Sequence, residues 1–143
     1  MKELFVDTAG WMMLADAKDP LHAAARTERD SWLKAGGFLL STNFVMDETL
    51  TLIRVRLGLD SAEAWWSQVE GSARLRWEWI DTLCAEKARR WFFKWRDKDF
   101  SFTDCTSFVI MKERRVKLAL TSDRHFEDAG FRAVPPPTKR SRS

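Results

Sequence analysis

The chain has 143 residues and a mass of 16.7 kDa, the size of one domain with a substantial core. Hydrophobic residues make up 45% and charged residues 31%, as in an ordinary soluble globular protein. No apolar run reaches the length of a membrane span, and the first residues lack the apolar stretch of a secretory signal. Cys84 and Cys105 are too few for a disulfide framework, so we expect a cytoplasmic protein with reduced thiols and no membrane association.

The net charge of +3 comes from the carboxyl-terminal tail. Three cations, Lys139, Arg140 and Arg142, follow a run of three prolines and account for all of it, so the rest of the chain is neutral. The sequence pI of about 9.1 therefore does not indicate a basic nucleic-acid-binding domain. We interpret residues 1–134 as one folded domain and residues 135–143 as a disordered, Pro-rich basic tail.

Short apolar runs alternate with helical patterns along the chain. The apolar runs predict strands at 4–6, 38–40, 75–80, 117–120 and 131–134, the last of them an edge strand. The helical patterns lie at about 8–14, 20–35, 43–57, 60–70, 82–97, 102–115 and 124–129. This alternation predicts an α/β fold, a three-layer α/β/α domain around a short, mostly parallel sheet of about five strands.

Polar residues that precede several of these helices fit capping positions. Asp19, which is followed by proline, predicts a helix start with aspartate as the cap, and Asp60 is interpreted in the same way. Ser101 and Asp104 have the Ser-x-x-Asp spacing of a helix start, with Thr103 as an alternative cap.

Four acidic residues stand out by position. Asp7 follows the first strand, Asp123 follows a late strand, and Asp104 lies in the first turn of a helix. In a doubly wound sheet, the strand ends near the point where the strand order reverses converge on one crevice. Glu48 lies among apolar residues on the helical wheel. An unpaired carboxylate is costly there, so Glu48 needs a cation, a hydrogen-bonding partner or a raised pKa.

Several acids gathered in one crevice need cations or shared protons. Two carboxylates about 4 Å apart repel by roughly 4 kcal/mol at an effective dielectric constant of 20. Ligands that are oxygens only, without histidine or cysteine, favour Mg²⁺ or Mn²⁺ over zinc. Such ions bind phosphates, polarise them and help to generate a hydroxide for in-line attack.

Four segments in a fixed order resemble the PIN-domain family of metal-dependent ribonucleases, which includes the VapC-type toxins of toxin–antitoxin pairs. They are F-V-D-T near the amino terminus, S-T-N-F-V-M-D-E-T at 41–49, S-F-T-D-C at 101–105 and L-T-S-D-R-H-F at 120–126. Each segment alone is weak evidence, but their order and spacing match over residues 4–134. The resemblance assigns the metal-binding and catalytic roles to Asp7, Glu48, Asp104 and Asp123, and supporting hydrogen bonds to Thr8 and Thr121.

The resemblance also implies an activity. Metal-activated water would cleave single-stranded or looped RNA and leave a 5′ phosphate and a 3′ hydroxyl. Mg²⁺ or Mn²⁺ would be the cofactor, RNA the substrate and an antitoxin protein the partner. One of the carboxylates would also orient the water as a base, and the number of metal ions stays open.

Each acid taken alone has a simpler interpretation. Asp7, Asp104 and Asp123 are each compatible with helix capping, and Glu48 with an ion pair to a nearby arginine. His125 is interpreted as a surface residue beside the site rather than as a ligand.

Other classes of function agree less well with the sequence. The alternative is an RNA- or partner-binding domain of the same fold with little or no turnover. A phosphohydrolase fits poorly, because Asp7 is not followed by a second aspartate two residues on. A dinucleotide-binding enzyme is excluded, because no Gly-x-Gly-x-x-Gly follows the first strand.

The aromatic content suggests a further surface. The chain has 8 Trp and 10 Phe, more than a small core readily buries, and the neighbours Trp65 and Trp66 point in different directions on their helix. We expect a homodimer interface that uses helices 60–70 and 82–97. Candidate phosphate contacts are Arg54, Arg56, Lys94, Arg96, Arg114 and Arg115.

Overall fold

The structure is a computed structural model that describes residues 2–136, so most of the predicted tail, from residue 137 onward, lies outside the described residues. The strands are β1 (Glu3–Val6), β2 (Phe38–Thr42), β3 (Leu75–Glu78), β4 (Leu118–Leu120) and β5 (Arg132–Val134). The helices are α1 (Thr8–Ala15), α2 (His22–Lys34), α3 (Asn43–Leu57), α4 (Leu59–Glu70), α5 (Thr82–Lys94), α6 (Phe102–Glu113) and α7 (His125–Asp128). The alternation predicted from the sequence is confirmed.

The strands form one sheet in the order β3-β2-β1-β4-β5, and every neighbouring pair is parallel. The chain first moves from β1 outward through β2 to β3, then crosses back to β4 and continues to β5. Because parallel connections are right-handed, this reversal places α1–α4 on one face and α5–α7 on the other. The order therefore reverses between β1 and β4, and their carboxyl ends open on the same crevice.

Both faces of the sheet are packed with aromatic side chains. On one face, Trp11 of α1 contacts the rings of Trp65 and Trp77 at centroid distances of 5.5 and 6.4 Å. On the other face, the buried Phe108 of α6 contacts Phe126 at 5.1 Å, edge to face. The helices are thus fixed against β1, whose apolar residues are at most 1% exposed.

Gly10 lets α1 lie unusually close to β4. A Cβ atom at this position would stand 2.1 Å from the carbonyl oxygen of Leu120 and 2.9 Å from a methyl carbon of Val6. Only a residue without a side chain fits such an approach. The contact holds the beginning of α1 against the end of β4. It thereby brings together Asp7, which follows β1, and Thr121, which follows β4.

Two predicted helix starts were wrong. Asp19 does not cap α2, since its carboxylate accepts a backbone N–H two residues further on, at 2.8 Å, within the preceding turn. That turn delays the helix until His22. Asp60 does not cap α4, because the helix begins one residue earlier, after Gly58, whose φ of 102° breaks the chain between α3 and α4.

Strand β3 is also shorter than predicted, because it ends at Glu78 instead of residue 80. The backbone N–H of Ile80 donates to Oδ1 of Asn43, at 2.6 Å, which turns the chain away from the sheet. Within the described residues, no helix combines the length and apolar character that a membrane crossing requires.

Candidate metal centre

Asp7 is the most deeply buried of the four acids, at 6% exposed, and lies directly after the central strand β1. Its Oδ1 accepts the N–H of Gly10 at 2.8 Å, which caps α1, and its Oδ2 accepts the hydroxyl of Thr121 at 2.8 Å. Burial, helped by the charges of Asp123 and Asp104, outweighs these two hydrogen bonds and raises the pKa of Asp7 to about 7. Asp7 thus caps a helix and also faces the other acids.

Thr121 connects the ends of β1 and β4. Its hydroxyl donates to Asp7 and accepts the backbone N–H of Asp123 at 2.8 Å. The carboxylate of Asp123 in turn accepts the backbone N–H of His125 at 2.9 Å, so the turn after β4 folds back toward α6. Thr121 is 1% exposed, so its hydroxyl holds Asp7 and the turn after β4 from the buried side of the cleft.

Asp104 lies at the amino end of α6 in a capping box with both halves formed. The N–H of Asp104 donates to Oγ of Ser101 at 2.9 Å, and the N–H of Ser101 donates to Oδ2 of Asp104 at 3.0 Å. Burial raises the pKa of Asp104 and the charge of Asp123 adds to the rise, while the hydrogen bonds from Ser101 and His125 lower it. Ser101, and not Thr103, is therefore the cap.

Glu48 is placed differently from the expectation of an acid on an apolar helix face. The buried stripe of α3 is formed by Val45, Thr49 and Ile53, and Glu48, one residue or about 100° away, is exposed. Its carboxylate accepts the hydroxyl of Thr8 at 2.9 Å. Thr8 therefore supports Glu48 as Thr121 supports Asp7.

His125 lies inside the site, and its interpretation as a surface residue was wrong. Its Nδ1 is 3.0 Å from Oδ2 of Asp104 and 3.2 Å from Oδ1 of Asp123. The fold-back of the turn after β4 brings the imidazole against α6, which helical or strand periodicity does not indicate. The segment L-T-S-D-R-H-F contained the only sequence signal, a histidine two residues after the last acid.

These side chains line one open cleft of about 390 Å³ at the carboxyl edge of the sheet. Its lining includes the four acids together with Thr8 and His125, and also Asp19, Asp99 and Arg56. Asp104, Asp123 and His125 offer ligand atoms within 4.8 Å of one another. Carboxylates that face each other, two of them with a raised pKa, suit a divalent cation, so the residues present fit such an ion.

Comparison with known proteins agrees with this architecture. A sequence model described as the PIN domain matches residues 4–132. The chain belongs to the PIN-domain family. The family and the α/β fold indicated by the four sequence segments are therefore confirmed.

Two relatives of this PIN-domain chain come from Mycobacterium tuberculosis. The 23S rRNA-specific endonuclease VapC20 is 32% identical over 133 residues, which cover 93% of this chain and 98% of VapC20. Ribonuclease VapC26 is 30% identical over 126 residues, which cover 86% of this chain and 89% of VapC26. Both relatives match along almost their whole length.

Solved structures give the same result. The crystal structure of VapC20, described as a toxin that cleaves the sarcin–ricin loop, matches with a TM-score of 0.81 at 30% identity. The match covers 90% of this chain and 95% of that chain. The FitAcB structure from Neisseria gonorrhoeae matches over 91% of this chain with a TM-score of 0.65, and at 14% identity it shows the fold alone.

The raised pKa of Asp7 predicts a pH-dependent stability. The native state holds this proton more tightly than the unfolded state, so its stabilising effect is complete below the ordinary value of 3.8 and is lost as the pH rises through about 7. The amide of Asp7→Asn does not titrate, so this variant lacks the pH-dependent loss of stability. We expect its stability relative to wild type to increase across this window, by at most about 1.4 kcal/mol per pH unit, and then to level off.

Urea unfolding in EDTA at about pH 5 and about pH 8 measures this difference. The control is Asp47→Asn, which makes the same substitution at an exposed acid on α3 outside the cleft. The same stability difference for Asp7→Asn at both pH values would contradict the expectation.

Proposed function

We propose that this chain is a metal-dependent endoribonuclease and the toxin of a toxin–antitoxin pair. The observation that carries the proposal is the convergence of Asp7, Glu48, Asp104 and Asp123 on one cleft at the switch point of a PIN fold. The endonuclease VapC20, similar over 93% of this chain, supports the reaction type. The substrate class is single-stranded or looped RNA, and a ribosomal RNA loop is the first substrate to test.

The four acids would hold Mg²⁺ or Mn²⁺, which when bound supplies a Lewis acid for the phosphate and lowers the pKa of bound water. Thr8 orients the carboxylate of Glu48 and Thr121 that of Asp7, each through one hydroxyl hydrogen bond. A carboxylate of the cleft takes the proton of the attacking water. The products would carry a 5′ phosphate and a 3′ hydroxyl.

Substrate binding would use cations at the rim of the acidic cleft. Arg56 lines the cleft and is exposed, so it is the best placed of the arginines proposed to contact phosphate. Arg114 is excluded from this role, because its guanidinium binds Glu3, with Nε 3.0 Å from Oε1, and also contacts Glu78.

A second cleft, of about 530 Å³, suits a protein partner, which we propose is the antitoxin. It runs between α1, α2 and α4 and has apolar walls that include Trp11, Leu33 and Val69. Arg29 and Gln68 add polar groups that a bound chain can pair with its own polar atoms.

We also propose the homodimer expected from the sequence, with an interface over helices 60–70 and 82–97. These helices flank β3, which is an edge strand of the sheet. The carboxyl end of α5 exposes Phe92 by 38% and Phe93 by 55%, and Trp95 follows at 42%. Trp65 is buried and Trp66 half-buried, so helix 60–70 would contribute its polar face.

We propose that the nuclease domain comprises residues 1–134 and that residues 135–143 are a basic extension outside it. The PIN-domain match, which ends at residue 132, supports this boundary.

The nuclease is tested with labelled RNA in Mg²⁺, Mn²⁺ or EDTA. We expect cleavage only with metal, and a loss of at least about 100-fold in Asp104→Asn and Glu48→Gln, because each variant removes a charge that holds the ion. Asp47→Asn, next to Glu48 but exposed and outside the cleft, should cleave like wild type. Cleavage in EDTA, or undiminished cleavage by Asp104→Asn, would contradict the proposal. Metal binding without cleavage of any RNA would favour the alternative binding function.

The partner cleft is tested by co-purifying the chain with the protein encoded by the adjacent reading frame. Ala64→Arg places a long cation in the cleft from an exposed position, so we expect the complex to be lost. Ala23→Arg makes the same change on an exposed position of α2 outside the cleft and should leave the complex intact. Retention of the partner by Ala64→Arg would argue against this cleft.

Light scattering at micromolar concentration tests the dimer. We expect the mass of two chains for wild type, and dissociation in Phe93→Ser, which removes exposed apolar area from α5. Arg26→Ser, exposed on α2, is the control for a new serine on a helix surface. A wild-type monomer at this concentration would refute the dimer.

A further inference from the structure

The imidazole of His125 lies against the carboxylates of Asp104 and Asp123. Its Nδ1 stands 3.0 Å from a carboxylate oxygen of Asp104 and 3.2 Å from one of Asp123. Adjacent ligands of a six-coordinate ion, each about 2.1 Å from it, are separated by about 3.0 Å. The imidazole nitrogen is therefore already spaced from each carboxylate as a neighbouring ligand of one ion would be, and the three ligand atoms lie within 4.8 Å of one another.

The protein fixes this ring in place from two sides. The ring of Phe100, which is 7% exposed, packs edge to face against the imidazole at a centroid distance of 5.6 Å. The backbone N–H of His125 donates to the carboxylate of Asp123, so the residue and its neighbouring acid move together. A side chain held in this way loses little conformational freedom when it binds an ion.

We propose that His125 supplies a nitrogen ligand to the metal and makes this centre prefer Mn²⁺ to Mg²⁺. The proposal rests on the metal-dependent function proposed above. Mg²⁺ binds oxygen ligands and retains several waters, whereas imidazole binds first-row transition metals well. One nitrogen among the carboxylates therefore favours Mn²⁺ more than it favours Mg²⁺.

The competing role for His125 is that of a cation. An imidazolium between Asp104 and Asp123 would neutralise part of their charge without binding an ion, and divalent cations would then have to displace it. The two roles differ in one observable, a bond between the metal and a histidine nitrogen.

Pulsed electron paramagnetic resonance of bound Mn²⁺ detects such a bond as a coupling to ¹⁴N. The untagged full chain is suited to this measurement, because it has 2 His in its whole sequence. We expect an imidazole coupling in wild type that changes to a ¹⁵N coupling when histidine alone is ¹⁵N-labelled. This arm needs no variant and so does not depend on how a variant folds.

Variants then assign the nitrogen and test selectivity. His125→Asn should lose the coupling and bind Mn²⁺ about tenfold more weakly by calorimetry, with a smaller loss for Mg²⁺. His22→Asn, which changes a histidine whose ring contacts the backbone oxygen of Met13 outside the acidic cleft, should keep both the coupling and the affinity.

The failures of the two proposals can be told apart. Mn²⁺ bound to wild type without an imidazole coupling would overturn the role of His125 and leave the nuclease proposal standing. Equal losses of Mn²⁺ and Mg²⁺ affinity in His125→Asn would overturn the selectivity. Wild type that binds neither ion would overturn this inference together with the metal dependence of the proposed function.

Discussion

The cost of burying carboxylates that face one crevice, increased by their mutual repulsion, is the constraint on which the rest of this structure depends. The chain offsets it first with its own backbone, since Asp7 caps α1 and Asp104 completes the capping box of α6, each beside the partial positive charge of a helix amino terminus. A carboxylate can accept about four hydrogen bonds, so a capping bond leaves acceptor positions free. Capping and metal binding, which are alternatives when the sequence is considered alone, are thus compatible uses of the same side chain.

The backbone hydrogen bonds offset this cost only in part, and the remainder bears on function. Burial still raises the pKa of Asp7 and of Asp104 despite their hydrogen bonds to backbone N–H groups. A crevice lined by several carboxylates also repels the phosphates of RNA. The proposed ion would relieve both problems at once, because it would stabilise the ionised carboxylates and attract the phosphate.

The parts of the structure that depend on local sequence could be predicted. The positions of Asp7 and Asp123 after their strands follow from periodicity and from spacing within a few residues, as do the capping box of Ser101 and Asp104 and the order of strands and helices. The switch point then brings Asp7 near Asp123, because parallel connections have one hand.

The features that the sequence did not reveal depend on angles and turns between elements. Glu48 and Thr49 differ by one residue, and the packing of α3 against α1 and α4 buries the second and exposes the first. A helical wheel gives the width of an apolar face but not its exact edges, so an acid at such an edge can be assigned to either side. His125 enters the cleft because two hydrogen bonds, from Asp123 to Thr121 and from His125 to Asp123, close a turn of a few residues. That turn has no period to detect, so only the folded chain shows that an imidazole stands among the acids.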